Sequence, residues 1–123
     1  MYELTVTSYF SGAHRLRYLH GKCEELHGHN WKVEVSITSG KLNQEGVVMD
    51  FTILKGKVEK VLKSFDHTYL NDLPYFSGQE PSSENIARYI FDKLKVELKS
   101  FPVKMTKVSA WESENSCATY FGR

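Results

Sequence analysis

The stretch from Asn30 to Thr38 constrains the fold more than any other. Trp31, Val33, Val35 and Ile37 alternate with Lys32, Glu34, Ser36 and Thr38. Side chains on an extended backbone point to opposite faces in turn, so this period of two describes a strand with one face buried and one wet. Ser39-Gly40-Lys41 then supplies turn chemistry. Strands of this kind belong to antiparallel sheets, which leave one face to be covered by other elements.

The rest of the chain offers both partners and cover. Tyr2 to Phe10 alternates too, with Tyr2, Leu4, Val6 and Phe10 on one side and Glu3, Thr5 and Thr7 on the other. Asp50 or Thr52 caps a helix running to about Ser64, with Ile53, Leu54, Val58, Val61, Leu62 and Phe65 at helical spacing. Gly56 weakens that helix slightly. A second helix starts at Pro81-Ser82-Ser83-Glu84, where a serine oxygen suits the free N–H groups and an early glutamate suits the dipole. Its apolar stripe is Ile86, Ile90, Phe91, Leu94 and Leu98, and Pro102 blocks its continuation. Val103 to Glu112 and Ser116 to Phe121 read as strands joined around Ser113-Glu114-Asn115. The expected order is ββααββ: an α+β fold with a four-stranded antiparallel sheet and two helices. Its two sheet edges suit continuation across subunits. Ser11 to Leu26 is expected to be irregular, and its Gly12, Gly21, Arg15, Arg17 and Lys22 suit a turn that meets a ligand.

Composition narrows the classes. The 123 residues suit one domain spanning 1–123. A hydrophobic fraction of 41% beside 25% charged residues is that of a soluble protein, and a net charge of +1 gives no footprint for nucleic acid. No apolar run approaches the roughly 20 residues that cross a bilayer, so no membrane partner is expected. The alternating N-terminal segment does not read as a signal peptide. Two cysteines make a poor disulfide framework, which points to a reducing, cytoplasmic compartment.

The chemistry concentrates in Cys23-Glu24-Glu25-Leu26-His27-Gly28-His29. If the second strand extends back through His27 and His29, both imidazoles share a face. Even-numbered register in the first strand puts His14 on the face of Phe10. Three such imidazoles match the ligand set of a catalytic zinc, with a fourth position open. A Cys23/His27/His29 set is the competing choice; with the three histidines as ligands, Cys23 is free to act as a base or nucleophile. Ordinary strand histidines are the bland alternative. Asp66-His67 is either a proton-transfer pair or a helix terminus capped by imidazole. Glu112, after Val108-Ser109-Ala110-Trp111, is a solvated strand end or an acceptor for an amidine-like face such as that of a pterin or guanine. Ser82, Ser83 and Glu84 serve at least as a helix cap. Cys117, inside a strand, reads as a small buried hydrophobe.

Six segments in order complete the picture: Phe10-Ser11-Gly12-Ala13-His14-Arg15-Leu16, Cys23-x-x-x-His27-Gly28-His29, Val48-Met49-Asp50-Phe51, Phe65-Asp66-His67-x-x-Leu70-Asn71, Pro81-Ser82-Ser83-Glu84-Asn85 and Trp111-Glu112-Ser113. Together they resemble the 6-pyruvoyl-tetrahydropterin synthase superfamily from about Tyr2 to Tyr120. The Cys-to-His spacing and the short chain are most similar to its bacterial and archaeal 6-carboxy-5,6,7,8-tetrahydropterin synthase branch. That resemblance implies a tunnelling fold and a homohexamer built as a dimer of trimers, with sites between subunits. It implies zinc held by His14, His27 and His29, Cys23 as proton-abstracting thiolate, and Asp66 and His67 as a relay. It implies Glu112 as pterin anchor, aided by Ser82, Ser83 and Glu84. The implied substrate is a pterin triphosphate, 7,8-dihydroneopterin triphosphate, and the implied setting is queuosine and deazapurine biosynthesis. Arg15, Arg17, Lys22 and His20 are candidates for the triphosphate by charge and position alone.

Overall fold

The computed structural model describes residues 1–18 and 25–122. Two long strands, β1 (Tyr2–His14) and β2 (His27–Ser39), pair antiparallel from Tyr2↔Ser39 to His14↔His27. Both alternations mark their faces as expected. Val6, Phe10 and His14 are buried on β1, and Trp31, Val33 and Val35 on β2. Both strands run further than the apolar alternation reaches. β1 continues through Ser11-Gly12-Ala13 to His14, so the expected irregular segment begins as strand, while Glu25 and Leu26 at its other end stay irregular and β2 begins just after them at His27.

Helix α1 (Phe51–Leu62) starts where Asp50 accepts the Thr52 N–H at 2.8 Å. It buries Leu54, Val58, Val61 and Leu62; Ile53 points outward and is 44% exposed. Helix α2 (Ser83–Glu97) starts where the Ser82 hydroxyl accepts the Asn85 N–H at 3.2 Å, and buries Ile86, Ala87, Ile90, Phe91 and Leu94. The core fills the space between these helices and one sheet face.

The sheet has five strands in mixed orientation, not four antiparallel ones. The addition is β3 (Thr68–Tyr69), which pairs parallel with Gly12 and Ala13 of β1 and sits between the helices in sequence. Strands β4 (Lys104–Ser113) and β5 (Ser116–Tyr120) complete the order β3-β1-β2-β4-β5. Two short 3-10 turns, Leu70–Asp72 and Pro74–Phe76, lead from β3 toward α2. The order of elements is therefore ββαβαββ. Cys117 on β5 is exposed rather than buried.

Candidate metal and substrate site

The strands bring the three histidines together. His14 closes β1 opposite His27, and His29 lies two residues further along β2, so all three rings share the core-facing side of the sheet. Their ring centroids are 4.6 Å (His14–His27), 4.6 Å (His27–His29) and 5.3 Å (His14–His29) apart. Trp31, fully buried, meets His14 and His29 edge-on at 5.1 and 5.6 Å and floors the cluster.

Two backbone carbonyls fix the tautomers of two of the rings. Nδ1 of His14 lies 2.7 Å from the Pro81 carbonyl, and Nδ1 of His27 lies 2.9 Å from that of Glu25. A carbonyl only accepts, so each Nδ1 carries the proton and each Nε2 presents a lone pair. Carbonyl partners of this kind orient imidazoles in metal sites. Nε2 of His14 and of His29 are buried without a hydrogen-bond partner. Burial holds the His29 imidazole below its ordinary pKa; Glu112 pulls it up, while His27 and His14 push it further down. A neutral, orphaned nitrogen is a ligand awaiting a cation, and the set could hold a divalent metal ion.

Glu112 joins this group. β4 shifts register between Trp111 and Ser113, and Oε1 of Glu112 lies 2.8 Å from Nε2 of His29 and 3.7 Å from Nε2 of both His14 and His27. The 2.8 Å approach sets this carboxylate oxygen beside a nitrogen that has no hydrogen-bond partner. Ser83 donates to the other carboxylate oxygen at 3.4 Å. The sequence offers Glu112 as a solvated strand end or a pterin acceptor; its position among the imidazoles depends on pairing between distant strands, which no local pattern carries. The Pro81 carbonyl was missed because a backbone atom leaves no signature in residue type.

The other expected site residues lie apart from this cluster. Ser82 is engaged as the α2 cap, and Glu84 is exposed in the first turn. Asp66 accepts the Ser11 N–H at 2.9 Å, and the Ser11 carbonyl accepts the His67 N–H at 2.6 Å. The His67 ring, 3.6 Å from the Asp66 carboxylate, is solvent-exposed, and its backbone sits at φ 56. Asp66 and His67 thus hang on β1 at Ser11, which points away from the histidine face. His67, Ser11 and Asn30 line a groove of about 440 Å³. Arg17 is tied to the protein itself, donating to the carbonyls of Phe76 (2.9 Å) and Gln79 (3.0 Å) and to Glu80 (3.2 Å). It is therefore not free for a phosphate, contrary to expectation. Cys23, His20 and Lys22 lie outside the described residues.

A histidine cluster with one carboxylate, set at the end of a helix-covered mixed sheet, defines a class of α+β proteins equipped to hold a metal ion. The chain belongs to the 6-pyruvoyl tetrahydropterin synthase family, whose model matches residues 3–123. It is 38% identical to the 6-carboxy-5,6,7,8-tetrahydropterin synthase of Synechocystis sp., over 91% of this chain and 87% of that one. It is 35% identical to the 6-pyruvoyl tetrahydrobiopterin synthase of Homo sapiens, over 92% and 86%. The structure of Caenorhabditis elegans 6-pyruvoyl tetrahydropterin synthase superposes with a TM-score of 0.85 at 32% identity, covering 99% of this chain and 96% of that one. No described helix is long and apolar enough to cross a membrane.

Proposed function

We propose that the protein is a zinc-dependent carbon–carbon lyase. It takes 7,8-dihydroneopterin triphosphate and water to 6-carboxy-5,6,7,8-tetrahydropterin, acetaldehyde and triphosphate. The observation that carries this reading is the convergence of three imidazoles, two of them oriented by carbonyls, with the Nε2 atoms of His14 and His29 buried and without a hydrogen-bond partner. The Synechocystis relative supports the particular product.

His14, His27 and His29 would hold the zinc. When bound, the ion supplies Lewis acidity toward the diol oxygens of the substrate's side chain, easing loss of a carbon-bound proton. Cys23 takes that proton as a thiolate. Asp66 and His67 deliver and accept protons on the opposite face. Because their exposed side of β1 faces away from the histidines, a neighbouring copy is the natural source of this pair. Glu112 accepts the paired N–H groups of the pterin, with Ser83 holding its second oxygen and Ser82 and Glu84 shaping the start of α2. Among the described residues, the β1 edge away from β2 is paired only at Gly12 and Ala13, which suits a homohexamer joined edge to edge.

Relatives named for the pyruvoyl product support a second reading, in which triphosphate is eliminated and the side chain retained. Incubating zinc-loaded protein with 7,8-dihydroneopterin triphosphate and analysing all products by mass separates the two. Acetaldehyde release is expected. A retained pyruvoyl chain would assign the second activity, and absence of triphosphate would overturn both. Light scattering should report a hexamer; an active monomer would remove the inter-subunit site.

A further inference from the structure

The position of the Glu112 carboxylate carries more than a substrate contact. Four ligand atoms, from His14, His27, His29 and Glu112, lie within 4.8 Å of one another. Around a tetrahedral ion with bonds of about 2.0 Å, neighbouring ligand atoms stand about 3.3 Å apart. Oε1 of Glu112 is 2.8, 3.7 and 3.7 Å from the three Nε2 atoms, values that bracket that edge. An atom at the centre of the site would be about 2 Å from each nitrogen. The oxygen therefore stands where a fourth ligand stands, not where the ion stands. Its close approach to His29 without hydrogen-bond geometry fits two ligands aimed at a common point rather than at each other.

The same side chain is built to leave. Its only described hydrogen bond is the long one from Ser83 at 3.4 Å, and the side chain is 35% exposed. A permanent ligand is ordinarily held by closer partners. We infer that Glu112 is a displaceable fourth ligand: it closes the metal site in the substrate-free protein, and a pterin's N–H groups draw it off, opening the coordination position. This rests on the zinc and pterin reading above. It makes one carboxylate both the plug of the metal site and the anchor of the ligand, so the site opens only when the ligand is seated.

The test uses metal and pterin without turnover. Zinc affinity of the wild-type protein and of Glu112→Gln is measured by chelator competition, with a thermal melt of each metal-free protein to show that both fold. Glu112→Asp, shorter but still anionic, provides a second variant. The cobalt-loaded forms are then titrated with neopterin, a stable pterin without triphosphate, and their visible absorption followed. Wild type should bind zinc at least about tenfold more tightly than Glu112→Gln. The wild-type cobalt spectrum should move on neopterin addition toward that of Glu112→Gln, which itself should start there. Equal zinc affinities would overturn the ligand role. A wild-type spectrum unmoved by saturating neopterin would overturn displacement. If Glu112→Gln loses affinity and the spectra converge but no triphosphate is released from the true substrate, the proposed reaction fails and the ligand exchange stands.

Discussion

Nδ1 of His14 sits 2.7 Å from the carbonyl oxygen of Pro81, the residue before the Ser82 cap of α2. This bond ties the end of β1 to the start of α2 and sets the tautomer of a side chain that is 1% exposed. His14 is thus part of the core as well as of the cluster. His27, whose side chain is 33% exposed, is not. His14→Ala should lose metal and also lower the melting temperature of the metal-free protein, since a buried ring is deleted and a carbonyl stranded, at a cost of about 1–3 kcal/mol. His27→Ala should lose metal while its metal-free melt stays within about 0.5 kcal/mol of wild type. Metal content by elemental analysis and melts of the stripped proteins check both; equal melting losses would mean the Pro81 bond contributes nothing.

Much of this geometry is legible in the chain because alternation records a face. The even register of Tyr2 to Phe10, carried on, lands His14 on the side of Phe10, and the odd register of Trp31 to Ile37, carried back, lands His29 and His27 beside it. What was not legible has physical causes. Ser11-Gly12-Ala13 carries little strand preference of its own, and continues β1 only because β2 and β3 flank it. A strand of two residues, Thr68–Tyr69, is too short to show a period. Ile53 meets the helical spacing of a core residue, yet α1 packs on a narrower stripe. Glu112 reaches the imidazoles through a register shift after Trp111, a property of pairing rather than of residue order.

Arg17 illustrates how charge and position mislead. A cation in a loop near the site suggests phosphate binding, but its guanidinium joins four acceptors of the chain, the carbonyls of Asn71, Phe76 and Gln79 and the Glu80 carboxylate. Arg17→Ala should lower stability by about 1–2 kcal/mol, discounted for partial exposure, and Arg17→Lys should restore little of it, because a single ammonium cannot match the planar fork. Arg15, whose side chain is exposed, should tolerate alanine with no change in melting. Chemical denaturation of the metal-free proteins reads these differences. An unperturbed Arg17→Ala would return that residue to the list of substrate contacts.

Asp66 separates structure from proton transfer. Its oxygen accepts the Ser11 N–H at 2.9 Å, and an amide oxygen can do the same. Asp66→Asn should therefore fold, keep its metal and melt near wild type. If the Asp66–His67 pair moves protons, turnover of the dihydroneopterin substrate should fall by roughly 10²–10⁴. His67→Ala, exposed and free of packing constraint, should match it in turnover and in stability. A double variant no worse than either single one would mark the two as one relay; full activity in Asp66→Asn would end that role.

Cys23 poses the sharpest choice between the two ligand sets that the sequence left open. Ligand atoms of His14, His27 and His29 already converge with Glu112, so the thiol is not needed to complete a four-atom set. Cys23→Ala should then bind zinc with wild-type affinity, since no ligand is lost. The cobalt-loaded variant should show the same visible spectrum as wild type, because a thiolate ligand would add an intense charge-transfer band that neither protein should display. Turnover should nonetheless collapse if the thiolate takes the substrate's proton, and Cys23→Ser should not restore it, a hydroxyl being far harder to ionise. Loss of zinc from Cys23→Ala would instead place the sulfur on the metal, and with it the base would have to be sought elsewhere in the chain.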